Sequence, residues 1–410
     1  MIGERPCVAI LGAGPAGLDA ALEAAERGWG FTLYEAADRP AGGVRSWGHV
    51  ALFSPWSIDA SPRMRAALGD GLPDDDSCPT GRELAESLFD RVAALPRVEP
   101  HLRLGTRVVA VGREGLVKNE EISTPERAGR PFRLLVTGPD GRERIERADA
   151  VLDCTGSLAH PNTLGDAGIP APGEAAAAGR IVRRIPDVAG DPAPWAGRTT
   201  LLVGGGHSAQ TAARDLARLA ETDRPGEERT KVIWAVKNPM PAWRIPDDPL
   251  PARERLAAEA EELLRGASPA VEARLGVVVE SLESADGRVA ANLRRRDGST
   301  ERVEADRVLA LTGAVGDHAL YRQLQVHECY ATAAPMKLSA ALLSTQKGAG
   351  GGAADCMSQT GHGADTLVNP EARFFILGAK SYGRNSAYLM RIGWQQVDDA
   401  FGVLAESFGA

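Results

Sequence analysis

The sequence predicts an α/β protein made of two parallel-sheet units, the second inserted into the first. Three observations predict it. A short apolar run, a tight glycine turn and an alanine-rich helical stretch occur in that order at residues 8–25 and again at residues 200–219. Two later segments, residues 148–156 and 305–313, share the pattern A-D-x-V-L-x-x-T-G, one downstream of each glycine turn. Apolar strand-like runs alternate with helical patterns in both regions, as in strand–helix–strand units. The matched pairs imply an internal duplication of the whole plan.

The first turn reads Gly12-Ala13-Gly14-Pro15-Ala16-Gly17. In a G-x-G-x-x-G turn the first glycine makes the bend and the second lets a pyrophosphate approach the backbone. The third position must be small so that helix and strand can pack. The helix N-terminus then offers free N–H groups and a partial positive charge to phosphates. The next strand, residues 31–34, ends at Glu35, where a carboxylate can accept both ribose hydroxyls of an adenosine. Beyond it, Gly42, Gly43, Arg45 and Trp47 are expected to lie against a bound cofactor. Residues 48–80 are rich in Pro, Ser and Asp and read as irregular. Thr80 and Glu83 form a capping box for a helix carrying Leu84, Leu88, Val92 and Leu95. Residues 101–147 alternate like a small meander, with turns expected at Gly112 and at Asp140-Gly141. The late strand then ends in Thr155-Gly156, where chain can pass beneath a cofactor.

Residues 158–197, rich in Pro, Gly and Ala, are expected to be a linker. The inserted unit follows over 198–314. Its turn is Gly204-Gly205-Gly206-His207-Ser208-Ala209, its second strand is residues 232–236, a helix covers 252–264, and a hairpin turns at Asp297-Gly298. Thr312-Gly313 closes it. The first unit, begun over 1–157, resumes over 315–410 with a glycine-rich loop at 347–363, a buried strand at 373–378 and a closing helix at 385–401.

Composition narrows the function classes. The chain has 410 residues, 43% hydrophobic and 25% charged, which is ordinary for a globular protein. A net charge of −8 gives no support to a nucleic-acid or anionic-membrane partner. No apolar run approaches a membrane span. Cys7, Cys78, Cys154, Cys329 and Cys356 show no C-x-x-C and no metal-ligand spacing. The first strand starts by residue 6, so no signal peptide is expected, and the reading is cytoplasmic; a homodimer is compatible with it.

The two nucleotide sites differ in sign. Glu35 would repel a 2′-phosphate, which suits the plain adenosine ribose of FAD. The second unit's equivalent strand ends in Lys237, with Arg244 following, and these cations would attract the 2′-phosphate of NADPH. His207 and Ser208 lie inside the second turn, where they can contact pyrophosphate or, for His207, face the nicotinamide. The polar run from Gly378 through Lys380 and Asn385 to Ser386 follows a buried strand and precedes a helix. It is expected to contact the flavin, with Lys380 or Asn385 organising the reacting edge.

With these residues in hand, the whole chain resembles the flavoproteins with two dinucleotide-binding domains of Rossmann type. It is similar to the class B flavin-containing monooxygenases and more distantly to the thioredoxin and glutathione reductases. The resemblance rests on Gly12, Gly14 and Gly17 with Glu35, on Gly42-Gly43 with Trp47, and on Cys154-Thr155-Gly156. It rests also on the second fingerprint, on Thr312-Gly313, and on the proline-punctuated stretch after Gly156. It implies FAD in the first domain, NADPH in the second, and hydride transfer to flavin. It further implies oxygenation of a small-molecule nitrogen, sulfur or carbonyl centre by molecular oxygen through a flavin hydroperoxide. Three departures stand out: no F-x-G-x-x-x-H motif lies between the fingerprints, no C-x-x-C is present, and Gly378-Ala379-Lys380 stands where a Gly-Asp pair is expected. The rival readings are a reductase passing electrons to an organic or protein acceptor, with Cys329 and Cys356 as its dithiol version, and a non-catalytic nucleotide-binding regulator.

Overall fold

Each apolar run that the sequence marks as central is buried on both faces, as a parallel strand between two layers must be. In the computed structural model, residues 5–73, 75–226, 228–285, 287–348 and 361–409 are described. The chain divides into two compact units, Met1–His160 with Val315–Ala410, and Pro161–Ala314.

In the first unit, β1 (Cys7–Leu11) feeds helix α1 (Pro15–Glu26), which returns to β2 (Gly30–Tyr34). After β3 (Leu102–Arg103), three antiparallel strands form a meander: β4 (Arg107–Arg113), β5 (Phe132–Thr137) and β6 (Glu143–Ala148). Strand β7 (Ala150–Asp153) follows. In the second unit, β8 (Ile181–Val182) and β9 (Thr199–Val203) precede α2 (His207–Ala220), β10 (Lys231–Val236) and α3 (Pro251–Leu264). Then come β11 (Val271–Leu275), the meander β12 (Val277–Ala285), β13 (Arg288–Arg295) and β14 (Thr300–Ala305), and β15 (Arg307–Ala310). The chain returns to the first unit with α4 (Met336–Gly348), β16 (Phe374–Ile376) and the closing α5 (Met390–Phe408).

Four strands of each sheet correspond, β7-β1-β2-β3 and β15-β9-β10-β11, while the fifth is added from the chain's end in the first unit and from before β9 in the second. The full strand orders are β16-β7-β1-β2-β3 and β8-β15-β9-β10-β11, parallel throughout. One face of each sheet carries helices. Leu18 and Leu22 of α1 meet Val397, Phe401 and Leu404 of α5 in the first unit, and Leu216 of α2 meets Leu263 of α3 in the second. The meander covers the other face, with Phe132 and Leu134 in the first unit and Val289 and Leu293 in the second. Each fully buried Leu or Phe here contributes about 1.5–3 kcal/mol.

The shared A-D-x-V-L pattern has a physical reason. Asp149 accepts the Cys7 N–H at 2.8 Å, and Asp306 accepts the Thr199 N–H at 2.8 Å. In each unit the aspartate N–H donates back to the same residue's carbonyl. The pair clamps the start of the central strand in register.

Several expectations need correction. Gly112 lies inside β4; the chain turns after Arg113, and a short helix, Pro125–Gly129, intervenes before β5. The stretch 158–197 is not a free linker. Leu164, Ala171 and Trp195 are buried in the second unit's cores, and β8 pairs with β15. The closing helix starts at Met390 rather than Asn385 and runs on to Phe408. The capped helix is as expected at Thr80, whose hydroxyl accepts the Glu83 N–H, but it passes through a wider turn at Ala85–Phe89. Most of the expected loop at 347–363, with Cys356, lies outside the described residues.

Candidate functional site

The first glycine turn is a backbone crossing. Gly12 has φ +99°, and a Cβ there would lie 2.7 Å from the Cys154 carbonyl oxygen. A Cβ at Gly17 would lie 1.8 Å from the Gly12 oxygen, so helix and strand touch through backbone alone. Gly14 differs: nothing lies within 4 Å of a Cβ built on it. It is the N-cap of α1, no side chain caps the helix there, and the first turn carries no acid. Pro15 takes the first helical position, where its missing N–H costs nothing. Through Gly14, Ala16 and Gly17 this helix end is open to an anion.

Glu35 sits beside that end. Its Oε2 accepts the Ala13 N–H at 2.9 Å and its Oε1 the Ala37 N–H at 2.9 Å. Each oxygen keeps further acceptor capacity for a hydroxyl. Burial pushes the carboxyl pKa upward against those backbone donors.

The following segment packs more against protein than the sequence implied. Ala41, at φ 56°, starts a helical turn at Gly42–Arg45 and donates its N–H to the Ala13 carbonyl at 2.9 Å. Arg45 is spent on the Pro40 carbonyl and on Asp90 at 2.5 Å. Trp47 lies against Gly81, where a Cβ would meet the indole at 2.7 Å. Gly43 is exposed, with the Leu158 side chain 3.7 Å from a Cβ built there.

At the ends of β7 and β16 the structure brings together residues that sequence reasoning placed separately. Lys380 is 1% exposed. Its ammonium donates to Asp153 Oδ2 at 2.6 Å and to Thr155 Oγ1 at 3.3 Å, and lies 5.0 Å from the Tyr321 ring centroid. Asp153 Oδ1 accepts the Thr155 hydroxyl at 2.7 Å. Gly316 leaves room for the lysine stem, since a Cβ there would meet Lys380 Cγ at 2.4 Å. Lys380 is therefore bound up in a buried ion pair rather than presented to a ligand. Asp153 was missed, although a carboxylate inside the apolar run Val151-Leu152-Asp153-Cys154 signals a buried partner.

The rest of that polar run forms a turn, Gly378–Tyr382. The Gly378 N–H donates to Gln396 Oε1 of α5 at 2.8 Å, and a Cβ on Gly378 would lie 3.3 Å from Ala16 Cβ, so the turn borders the first glycine loop. Asn385 Oδ1 accepts the Ala387 N–H at 2.9 Å, and Ser386 is exposed. Gly156, at φ +69°, follows Thr155. Within the same unit His49 Nε2, Asp59 Oδ2, His362 Nε2 and Trp394 Nε1 are buried with no partner among the described residues.

The second turn repeats the crossing. Gly204 has φ +140°, and a Cβ there would lie 2.3 Å from the Leu311 oxygen, the counterpart of Cys154. Trp234 pins the turn by donating its indole N–H to the Gly204 carbonyl at 2.9 Å. Gly206 caps α2 with open space around it and with no acid in the first turn. His207 and Ser208 are exposed in that turn, while Ala209 is fully buried at the small third position. Thr312 Oγ1 donates to the Asn162 carbonyl at 3.0 Å, and Gly313 has φ +83°. The Lys237 side chain is 77% exposed and lies 3.5 Å from Asp166, and the Arg244 side chain is 56% exposed and lies 3.7 Å from Glu254. Among the described residues no cluster of His, Cys, Asp or Glu could hold a metal ion, and no helix is long and apolar enough to cross a membrane.

The sequence pattern of the pyridine nucleotide-disulphide oxidoreductases matches residues 6–330. No curated protein matches the chain. Among solved structures, bacillithiol disulfide reductase from Bacillus cereus is similar, with TM-score 0.69 at 18% identity over 98% of this chain and 99% of that one. The cadaverine monooxygenase DfoA from Erwinia amylovora, solved with FAD, is similar with TM-score 0.65 at 12% identity over 100% and 95%. A flavin-containing monooxygenase from Stenotrophomonas maltophilia is similar with TM-score 0.59 at 17% identity over 99% and 100%. At these identities the likeness is one of fold.

Proposed function

This chain belongs to the pyridine nucleotide-disulphide oxidoreductase family, and from that premise we propose an FAD-dependent oxidoreductase reduced by NADPH, with molecular oxygen as the electron acceptor and a small molecule oxygenated at nitrogen, sulfur or a carbonyl. One observation carries the two-nucleotide reading. The same backbone crossing is built twice, with a carboxylate after the second strand of one unit and a lysine after that of the other.

The residues present fit both groups. Gly14, Pro15, Ala16 and Gly17 leave the α1 terminus uncapped for the pyrophosphate of FAD, and Glu35 keeps acceptor capacity for the ribose. Gly378 borders that seat at Ala16, and Gly43, Thr155 and Gly156 would supply close backbone beside it. Gly204, Gly206, Ser208 and Ala209, with Thr312 and Gly313, form the second seat, and Lys237 and Arg244 are exposed cations suited to a 2′-phosphate. Bound FAD supplies the two-electron chemistry. The protein's part is to hold the loops. Lys380 acts as a positioning residue that ties the Gly378–Tyr382 turn to Asp153 and Thr155. Asn385 closes the next turn, and His207 stands at the α2 terminus, where a phosphate would meet it.

The test is anaerobic reduction by NADPH followed by mixing with oxygen. The expected result is rapid reoxidation with one oxygen consumed per NADPH. Slow reoxidation, with fast reduction of an added quinone or disulfide, would replace oxygenation by reductase activity.

A further inference from the structure

The two glycine turns align residue for residue. The Gly12 N–H donates to the Tyr34 carbonyl at 2.7 Å, and the Gly204 N–H donates to the Ala235 carbonyl at 3.1 Å. Ala13 therefore corresponds to Gly205, and Glu35 corresponds to Val236. Lys237, expected as the counterpart of Glu35, stands one residue further on.

The corner that a carboxylate fills in the first unit is apolar in the second. Glu35 accepts the Ala13 N–H at 2.9 Å. A Cβ built on Gly205 would instead lie 3.3 Å from Val236 Cγ1 and 3.7 Å from Trp243 Cζ2. Val236 has no acceptor for ribose hydroxyls. An adenosine at this turn meets an indole where its counterpart in the first unit meets Glu35.

Trp243 is held in place from two sides. Its ring stacks on Trp234, with centroids 5.3 Å apart and planes 20° apart. Trp234 is fully buried and donates its own N–H to the Gly204 carbonyl, so the stack is anchored to the turn. The backbone N–H groups of Trp243 and Arg244 both donate to Glu261 Oε1 of α3, at 3.0 and 3.2 Å. Trp243 nevertheless stays half-buried. With one ring face on Trp234, its accessible surface is the opposite face and the rim, and the rim reaches the glycine turn. Such a surface suits a stacked base, because every base has a π-face.

We propose that Trp243 is the adenine platform of the second seat. The coenzyme's adenosine is read there by stacking on Trp243 and through its 2′-phosphate by Arg244, the next residue, rather than through its ribose hydroxyls. This rests on the reading of the second unit as the NADPH seat.

Titration calorimetry of the FAD-loaded protein with adenosine 2′,5′-bisphosphate tests it without turnover. Trp243→Phe keeps a ring and should bind nearly as tightly as the parent. Trp243→Leu keeps an apolar side chain against Trp234 but loses the π-face, and should bind roughly 5- to 150-fold more weakly. Equal affinity of the parent and Trp243→Leu would overturn the platform. So would a loss in Trp243→Phe as large as that in Trp243→Leu, which marks packing against Trp234 instead. A parallel titration with 5′-AMP probes the underlying reading. AMP binding as tightly as the bisphosphate would refute the 2′-phosphate contact while leaving the loss in Trp243→Leu intact. Binding of neither by the parent would remove the second seat and the platform with it.

Discussion

Replacing Lys380 with Met probes the buried ion pair at the end of β7. Both side chains of the pair are 0% exposed and their charged atoms are 2.6 Å apart. Removing the ammonium leaves the Asp153 carboxylate with only Thr155 donating to it among the described residues, in a site that is fully buried. Breaking such a pair costs about 3–5 kcal/mol. For a unit of this size each kcal/mol shifts the melting temperature by about 2–4 °C, so Lys380→Met should melt roughly 6–20 °C lower. The double variant Asp153→Leu/Lys380→Met removes both charges and should recover most of the loss, since apolar replacement of a whole buried pair is often neutral. Urea unfolding followed by far-ultraviolet circular dichroism reads the midpoint and the slope for four proteins: the parent, Lys380→Met, Asp153→Leu and the double variant. Two results would refute the reasoning. One is a single variant that loses less than about 1 kcal/mol. The other is a double variant whose loss equals the sum of the two singles, because uncoupled residues add.

Gly14→Val should leave the melting temperature of the FAD-free protein almost unchanged, because open space surrounds its Cβ position. It should nevertheless abolish FAD retention, read as loss of the yellow colour after gel filtration. Lys237→Ala or Arg244→Ala should weaken NADPH use by roughly 10- to 150-fold and leave NADH use unchanged in steady-state flavin reduction; equal losses for both coenzymes would exclude contact with the 2′-phosphate. Asp59 provides a pH test. Burial raises its pKa to about 7, against the Ser54 and Arg65 contacts that lower it. A folded-state pKa above the unfolded one means its contribution is full below about pH 4 and is lost as pH rises through 7. Asp59→Asn should flatten the stability profile over that window and stabilise the protein at pH 8 by up to about 4 kcal/mol, as read by thermal melts at each pH.

The fold was legible wherever a local rule forces a backbone. The glycine turns announce themselves because no side chain fits where Gly12 or Gly204 meets the facing carbonyl. The duplicated A-D-x-V-L pattern was visible, and its aspartate proves to be a strand clamp. Long-range choices were not legible. Arg45 could serve a cofactor or an acid, and only folding brings Asp90 beside it. Lys380 carried a charge that invited a ligand, and its partner sits 227 residues earlier in the chain. The stretch 158–197 had the composition of a linker because its apolar residues are spaced irregularly, yet Leu164, Ala171, Ala177, Val188 and Trp195 bury one by one into the second unit. Trp243 left no spacing signal, since only the folded loop after β10 sets it beside Gly205.

The position of β16 in the chain imposes an order of events at the ribosome. The first unit's sheet is completed by a strand that begins at Phe374, and β7 presents an open edge until that strand arrives. At about 5–20 residues per second, Lys380 follows Asp153 by roughly 10–45 s. All strands of the second unit's sheet have emerged within that interval. The later half of the duplication therefore matures first, and the earlier half waits as an unfinished template. Nascent chains arrested a few dozen residues beyond Ala314 should show a protease-resistant second unit beside a sensitive first one. Resistance of the first unit at that length would show that it closes without β16.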